Sequence, residues 1–282
     1  MSRHFSSCAS HQFLRKLNKT LLQVSSPQQH VVKQLVKPVG LPVKPSPTVY
    51  KQGNSALDIF SSDKRSKRVE ELGNEVGKSG MYHLHFYRKT KGKLFISPAG
   101  IWSANSALYF PHLKGKRVAD NNTINVEDCF QGKLSVVAIS SCEEGQKLVD
   151  SYLGEYNRDA EALRKDTASR DGPPVQIVNM TLADGWVKAF VARIAAGRML
   201  AQFAPEVRDR VYVCNRNQLP FSLRELLQIN NPYTGYVFVV DKNSKIRWMA
   251  CGAAGEKGFS ELWKVVRTLQ RENSVLGKGQ II

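Results

Sequence analysis

Residues 134–145 of the chain read LSVVAISSCEEG. The first six residues form an apolar run of the length of a strand. The two acids after Cys142 suit the first turn of a helix, because the positive end of the helix dipole attracts them. Apolar positions then recur at helical spacing from 144 to 165, and Gly-Pro-Pro at 172–174 ends the pattern. The stretch predicts a strand followed at once by one helix, with Cys142 at the junction.

The remainder of the C-terminal half alternates between strand and helix signals. Strands are expected at 175–180 (VQIVNM), 210–214 (RVYVC), 236–240 (YVFVV) and 246–250 (IRWMA), and helices at 186–203 and 259–269. The run at 236–240 is apolar throughout, so both of its faces should be covered. A further short helix is predicted with Ser222 as its cap, Glu225 completing a capping box, and Leu223, Leu226 and Leu227 on its buried side.

The resulting order is β-α-β-α-β-α-β-β-α. Its parallel units need right-handed crossovers, and the final hairpin should form an antiparallel edge. This is the order of an α/β, thioredoxin-like fold of the peroxiredoxin type. We therefore expect such a domain at 133–273, preceded by an irregular N-terminal extension and followed by a flexible tail at 274–282.

Enzymes of this fold carry a reactive thiol where the first core strand meets its helix, since the helix N-terminus favours the thiolate. Cys142 lies at that position. A resolving cysteine three residues on is replaced by Gly145, and the proline that usually precedes the fourth strand is replaced by Thr234-Gly235. We expect no catalytic residue and no cofactor, and we keep a one-cysteine thiol peroxidase or oxidoreductase that uses Cys142 as the alternative.

The cysteines elsewhere favour neither a disulfide framework nor a metal site. Their number is odd, no CxxC occurs, and the others are Cys8, Cys129, Cys214 and Cys251. Cys214 and Cys251 lie in apolar strands and are expected in the core. His83 and His85 have no cysteine or carboxylate cluster near them in the sequence, so we interpret them as surface residues and expect no metal ligands.

The chain is strongly basic, with 41 Lys and Arg against 24 Asp and Glu. Residues 1–57 carry eight basic residues and no acid, which is about half of the net charge of +17. Phe13, Leu14, Leu17, Leu21 and Val24 form a helical apolar stripe among these charges. The pattern is typical of a mitochondrial presequence followed by a Pro-rich linker, although a chloroplast transit peptide has the same composition.

The positive charge would also suit a nucleic-acid partner, but the sequence contains no RNA- or DNA-binding motif. A membrane-spanning helix is not expected either, because no apolar run reaches the roughly 18 residues that a span requires.

The segment at 58–132 is less regular. Residues 63–71 (DKRSKRVEE) are expected to form a solvated helix, and the alternation at 82–87 (YHLHFY) indicates a strand or an extended arm. Tyr109-Phe110-Pro111 and Lys114-Gly115-Lys116 are interpreted as an entry loop to the next domain.

The helix predicted at 186–203 (WVKAFVARIAAGRMLAQF) contains three basic residues and no acid. A helix that is apolar around so much of its circumference either packs inside a fold or lies partly buried with its basic edge on a membrane or an apolar partner. We therefore expect partner contacts at Trp186, Lys188, Phe190, Arg193 and Arg198 if the helix lies at the surface.

Several short motifs resemble one known family. They are KGKL at 91–94, ALYFP at 107–111 with KGK at 114–116, WVKAF at 186–190, and GYVFVVD at 235–241 with IRW at 246–248 and Gly252. In this order they resemble the mitochondrial ATP synthase assembly factors known as the ATPase assembly factor ten family. The resemblance spans about residues 80–270.

The resemblance implies a function. Its members are non-enzymatic chaperones at the matrix face of the mitochondrial inner membrane. They contact newly made subunit a of the ATP synthase membrane sector before it joins the c-ring. The resemblance adds candidates for partner contact or for the fold: Tyr109, Phe110, Pro111, Arg247 and Trp248. No nucleic acid partner is expected.

Overall fold

The structure is a computed structural model that describes residues 32–46, 80–168, 172–183 and 200–278. The presumed presequence helix, the predicted helix at 63–71 and nearly all of the predicted helix at 186–203 lie outside the described residues.

A single eight-stranded sheet organises the described part of the chain. Its strands are β1 (Leu108–Tyr109), β2 (Lys114–Arg117), β3 (Thr123–Asn125), β4 (Leu134–Ser140), β5 (Val175–Ala183), β6 (Val211–Asn215), β7 (Tyr236–Val240) and β8 (Lys245–Cys251). Their order across the sheet is β1-β8-β7-β4-β5-β6-β2-β3.

The centre of this sheet has the thioredoxin-like arrangement. β4 pairs in parallel with β5 and antiparallel with β7, which in turn forms a hairpin with β8. β6 extends the sheet in parallel beyond β5. The sequence predicted this fold class, and the topology confirms it. All five residues of β7 are buried, as the apolar run predicted.

The helices and short helical turns lie between and beside the strands. They are α1 (Gly80–Thr90), α2 (Glu143–Arg158), α3 (Ala160–Asp166), α4 (Pro205–Arg208), α5 (Phe221–Leu226) and α6 (Gly255–Lys278), with 3-10 turns at Val126–Phe130 and Arg216–Gln218. On one face of the sheet, α2 and α6 bury a cluster that includes Val136, Val239 and Trp263. The other face is covered by α5 and by the N-terminal segments, which bury Phe110, Phe130 and Leu223.

Three predictions for helices were wrong in detail. The helix expected at 144–165 is divided at Asp159, whose side chain accepts hydrogen bonds from the amides of Glu161 and Ala162 and so caps α3. Ser222 does not cap α5, which begins one residue earlier, at Phe221, after Pro220. Leu226 is 52% exposed instead of buried, whereas Leu223 and Leu227 lie in the core as expected.

The predictions for the N-terminal extension also need correction. Residues 82–87 belong to helix α1 instead of a strand, and the rings of Tyr82 and Phe86 stack one helical turn apart. The expected entry loop forms β1 and β2, which pair with β8 and β6. The final hairpin is therefore not an edge, because β1 continues the sheet beyond β8.

The Pro-rich segment at 32–46 is extended, as expected, but it packs on the domain. Val39 is 4% exposed and belongs to the core cluster. Leu41 exchanges two backbone hydrogen bonds with Tyr109, at 2.8 and 2.9 Å. The indole of Trp102 donates to the carbonyl of Val36 at 3.2 Å. This segment is thus part of the folded protein.

Candidate functional site

Cys142 lies where the sequence predicted it, between β4 and α2. It is the N-cap of α2 with extended backbone angles, and its Sγ accepts a hydrogen bond from the amide of Gly145 at 3.4 Å. The residue is half-buried. The geometry is that of a thiol at a helix N-terminus, with a backbone donor aimed at the sulfur.

The first turn of α2 surrounds this thiol with negative charge. Glu143 and Glu144 are both exposed, and Lys147 bridges their carboxylates at 3.1 Å from each. The acids suit the helix dipole, which explains why the helix begins here. The Lys147 ammonium compensates part of this negative charge, so the first turn presents both signs of charge near the thiol.

The loop before β7 fills the space where a resolving thiol would lie. Gly145 packs against Thr234 and Gly235, and a Cβ added at 145 would be 3.0 Å from the Thr234 carbonyl oxygen. Thr234 is buried. A second cysteine at 145 would therefore be crowded, which gives a physical reason for glycine at this position.

The chain's own N-terminal segment covers this loop. The hydroxyl of Thr234 donates to the carbonyl of Gly92 at 3.1 Å, and the side-chain amide of Asn231 donates to the carbonyl of His83 at 3.0 Å. Tyr87 of α1 donates to Glu144 at 3.5 Å. The pKa of Tyr87 is raised, first by desolvation and then by the Glu144 charge. The surface beside the thiol is thus built from two segments of the chain that lie far apart in sequence.

The other described cysteines are not placed for thiol chemistry. Burial raises the pKa of Cys129 to about 12, of Cys214 to about 12 and of Cys251 to about 11. Cys214 and Cys251 lie in the core, as the sequence predicted. Among the residues that the structure describes, all four cysteines are free, and no three His, Cys, Asp or Glu side chains come together as metal ligands.

The structure places most of the predicted contact residues of the motifs in the interior. Phe110 and Pro111 are buried, and the Trp248 indole donates to the carbonyl of Pro98 at 3.2 Å. Arg247 is 3% exposed, pairs with Asp241 and with both carboxylate oxygens of Glu272, and donates to the carbonyl of Trp102. These four residues hold the fold together and present no surface to a partner.

Tyr109 is the exception among these motifs. It is half-buried in β1, and the Lys245 ammonium lies 5.1 Å from its ring centroid. Trp186, Lys188, Phe190, Arg193 and Arg198 lie outside the described residues. The contacts expected of that helix therefore stay a prediction.

One cavity was not anticipated from the sequence. It lies between α1 and the loop that follows α5 and has a volume of about 150 Å³. Its walls include the aromatic side chains Tyr82, Phe86 and Phe95 and the amide side chains Gln228, Asn230 and Asn231. Its walls come from segments that are about 140 residues apart, so no local pattern in the sequence indicated it.

Within the described ranges, no helix has both the length and the apolar character that crossing a membrane requires.

Comparison with solved structures finds distant matches to thiol–disulfide proteins. A DsbF homologue from Corynebacterium diphtheriae covers 60% of this chain and 91% of its own, with 13% identity and a TM-score of 0.37. A yeast mitochondrial 1-Cys peroxiredoxin covers 58% of this chain and 76% of its own, with 16% identity and a TM-score of 0.37. The fold assignment rests on the strand order described above.

Comparison with curated proteins finds much nearer relatives. A protein of Eremothecium gossypii named mitochondrial ATPase complex subunit ATP10 is 44% identical over 96% of this chain and 97% of its own. The proteins of the same name from Candida glabrata and Saccharomyces cerevisiae are 40% and 41% identical, over 95% and 91% of this chain and 96% and 94% of their own. The sequence profile of the family described as ATP10 protein matches residues 19–269. The chain belongs to the ATP10 protein family.

Proposed function

We propose that the chain is a non-enzymatic assembly chaperone for the membrane sector of mitochondrial ATP synthase. Three relatives at 40–44% identity carry the name of a mitochondrial ATPase complex subunit, and they match this chain over nearly its full length. The observation that carries the non-enzymatic part is the packing of Gly145 against Thr234 and Gly235, which occupies the place of a resolving thiol.

The client we propose is newly made subunit a, held at the matrix face of the inner membrane until it joins the c-ring. The choice of this client rests on the motifs at 91–116 and 235–248, which resemble those of the assembly-factor family. An acid-free N-terminus with an amphipathic stripe supports import into mitochondria. Because Val39 and Leu41 pack on the domain, we place any presequence cleavage before about residue 32.

A strain that lacks the chain tests this function. Mitochondria of the null strain should show a strong loss of fully assembled ATP synthase on blue-native gels, with free c-ring and catalytic sector accumulating. The level of subunit a mRNA should be unchanged, since the proposed defect follows synthesis. Normal amounts of the assembled enzyme in the null strain would exclude the function.

The second candidate is a one-cysteine thiol enzyme. The observation that favours it is the half-buried Cys142 sulfur at the N-terminus of α2, which accepts an amide hydrogen bond. A Cys142→Ser variant decides between the two, because serine retains a side-chain acceptor at the cap but no thiol. The chaperone account predicts full complementation of the null strain, whereas the thiol enzyme predicts failure.

A further inference from the structure

The cavity between α1 and the loop after α5 has the size of one side chain. At about 150 Å³ it matches apolar cavities that accept a benzene-sized molecule, and it is small for a nucleotide or an organic cofactor. No Asp, Glu, Lys or Arg lines it. His83 also lines the cavity, so a charged ligand would meet one imidazole there and no permanently charged side chain.

Exposed apolar side chains lie beside this cavity. Ile96 follows the wall residue Phe95 and is 49% exposed, and Leu226 precedes the wall residue Gln228 by two positions and is 52% exposed. Val36 is 75% exposed, and its neighbour Leu35 donates a backbone hydrogen bond to Ile96. Ile96 and Leu226 are thus close in sequence to wall residues, and the segment that carries Val36 bonds to both of them, through Leu35 to Ile96 and through Gly40 to Leu226. Exposed apolar side chains that form a continuous patch mark protein contacts.

The backbone conformation of the wall residue Gln228 is unusual. Gln228 has a φ of +57°, the left-handed conformation that favours glycine, at the position that ends α5. The amide of Ile229 donates to the carbonyl of Arg224, and the amide of Gln228 donates to the carbonyl of Glu225. Glycine would adopt this backbone conformation with less strain, whereas the Gln228 side chain lines the cavity and donates to the carbonyl of Glu225 at 2.8 Å.

The Asn230 amide of the wall can recognise a polypeptide backbone, whereas the side chains of Gln228 and Asn231 form hydrogen bonds within the chain. The side-chain nitrogen of Asn230 donates to Glu225 at 3.2 Å, which fixes the orientation of the amide. The side-chain oxygen of Asn230 is buried and has no hydrogen-bond partner among the described residues. An N–H group of a bound peptide is a donor that would satisfy it.

We propose that this cavity and its rim of Val36, Ile96 and Leu226 bind an apolar segment of the client polypeptide, with one aliphatic or aromatic side chain of that segment inserted between Phe86, Phe95 and Asn230. The proposal rests on the chaperone function and assigns its contact surface. An apolar insertion side chain and neutral amide recognition fit a newly made membrane subunit.

Photocrosslinking in intact mitochondria tests the contact. A photoreactive phenylalanine analogue replaces Leu226 in the full chain, and the matched control carries it at Val43, which is 71% exposed and neither lines the cavity nor neighbours a wall residue in sequence. We expect a product with a membrane-sector subunit of ATP synthase from position 226 and at least about tenfold less from position 43. Equal yields from both positions, or products only within the chain itself, would overturn the proposal.

Charged substitutions on the rim supply an independent measurement. Ile96→Asp and Leu226→Asp change exposed side chains, so both variants should fold, and thermal unfolding verifies this. The double variant should reduce client crosslinking from position 36 about tenfold, whereas Val43→Asp should leave it unchanged. If the null strain lacks assembled ATP synthase and the double variant restores it fully, this site is wrong and the chaperone function stands.

Discussion

A Cβ atom added to Gly235 would lie 2.3 Å from the carbonyl oxygen of Gly145. The start of α2 and the loop before β7 therefore meet backbone to backbone, at the two positions where a thiol enzyme of this fold would have its resolving cysteine and its proline loop. The contact leaves Cys142 in place and crowds the position at which a resolving thiol would lie.

Gly235→Ala should destabilise the protein by about 3 kcal/mol or more, because the new methyl group also meets Val149 and neither neighbour is a flexible side-chain end. Urea unfolding measures the change in the free energy of unfolding. Gly100→Ala is the control, since nothing lies within 4 Å of a Cβ there, and it should change stability by less than about 0.5 kcal/mol. An equal response of the two variants would contradict the contact.

Alkylation with iodoacetamide at pH 8 should modify Cys142 at least about tenfold faster than Cys129, Cys214 and Cys251. Desolvation raises the pKa of these three thiols to about 12, about 12 and about 11, so at pH 8 they remain protonated, and Cys214 and Cys251 are also buried from the reagent. Mass spectrometry of tryptic peptides follows each site separately. In denaturant the alkylation rates of the four cysteines should become similar. Similar rates in the native protein would contradict the burial of Cys214 and Cys251.

Arg247→Ala should cost about 3–5 kcal/mol in the free energy of unfolding, because it leaves the Asp241 carboxylate buried without its cation. The comparison is Lys165→Ala, which removes an ion pair with Glu161 in which both side chains are 73% exposed. That change should cost less than about 0.5 kcal/mol. If Arg247→Ala changes the free energy of unfolding as little as Lys165→Ala does, Arg247 is a surface residue, and it would again be a candidate for partner contact.

Gln228→Gly should stabilise the protein by about 0.5–1 kcal/mol, since glycine adopts the φ of +57° without strain. Differential scanning calorimetry measures the shift. A stabilised variant that also loses client crosslinking would be expected for a residue kept for binding. A destabilised variant would show that the bond from the Gln228 side chain to the Glu225 carbonyl, at 2.8 Å, outweighs the backbone strain.

Truncation of residues 1–46 should lower the free energy of unfolding by about 2–4 kcal/mol relative to truncation of residues 1–31. The longer deletion removes buried Val39 and the two backbone bonds of Leu41 to Tyr109. Urea unfolding of both proteins provides the test. If the two truncated proteins are equally stable, the Pro-rich segment is a free linker and does not contribute to the fold.

The parts of the fold that the sequence predicted are those with strong local signals. β4 and β7 are continuous apolar runs, and acids follow Cys142 at the start of α2, so pattern alone located them. Helix α1 was missed because YHLHFY alternates like a strand. Its true state depends on distant partners such as Asn231, which binds the carbonyl of His83.

The candidate site shows the same division. The position of Cys142 and the absence of a second cysteine could be predicted, since both depend on neighbours in sequence. The burial of Arg247 could not, because its partner Glu272 lies on α6 and the carbonyl of Trp102 comes from the other end of the domain. The cavity joins α1 to residues 228–231 and has no local signature.

The central claim is that this chain holds a newly made membrane subunit without thiol chemistry. Pulse-labelling of mitochondrial translation, followed by purification of a tagged Cys142→Ser chain during the chase, tests it most directly. The account predicts that labelled subunit a is recovered with the chain early and declines as the label enters assembled ATP synthase, as it does with the unaltered chain. Absence of labelled subunit a from the unaltered chain, or its loss in the Cys142→Ser chain alone, would contradict the account.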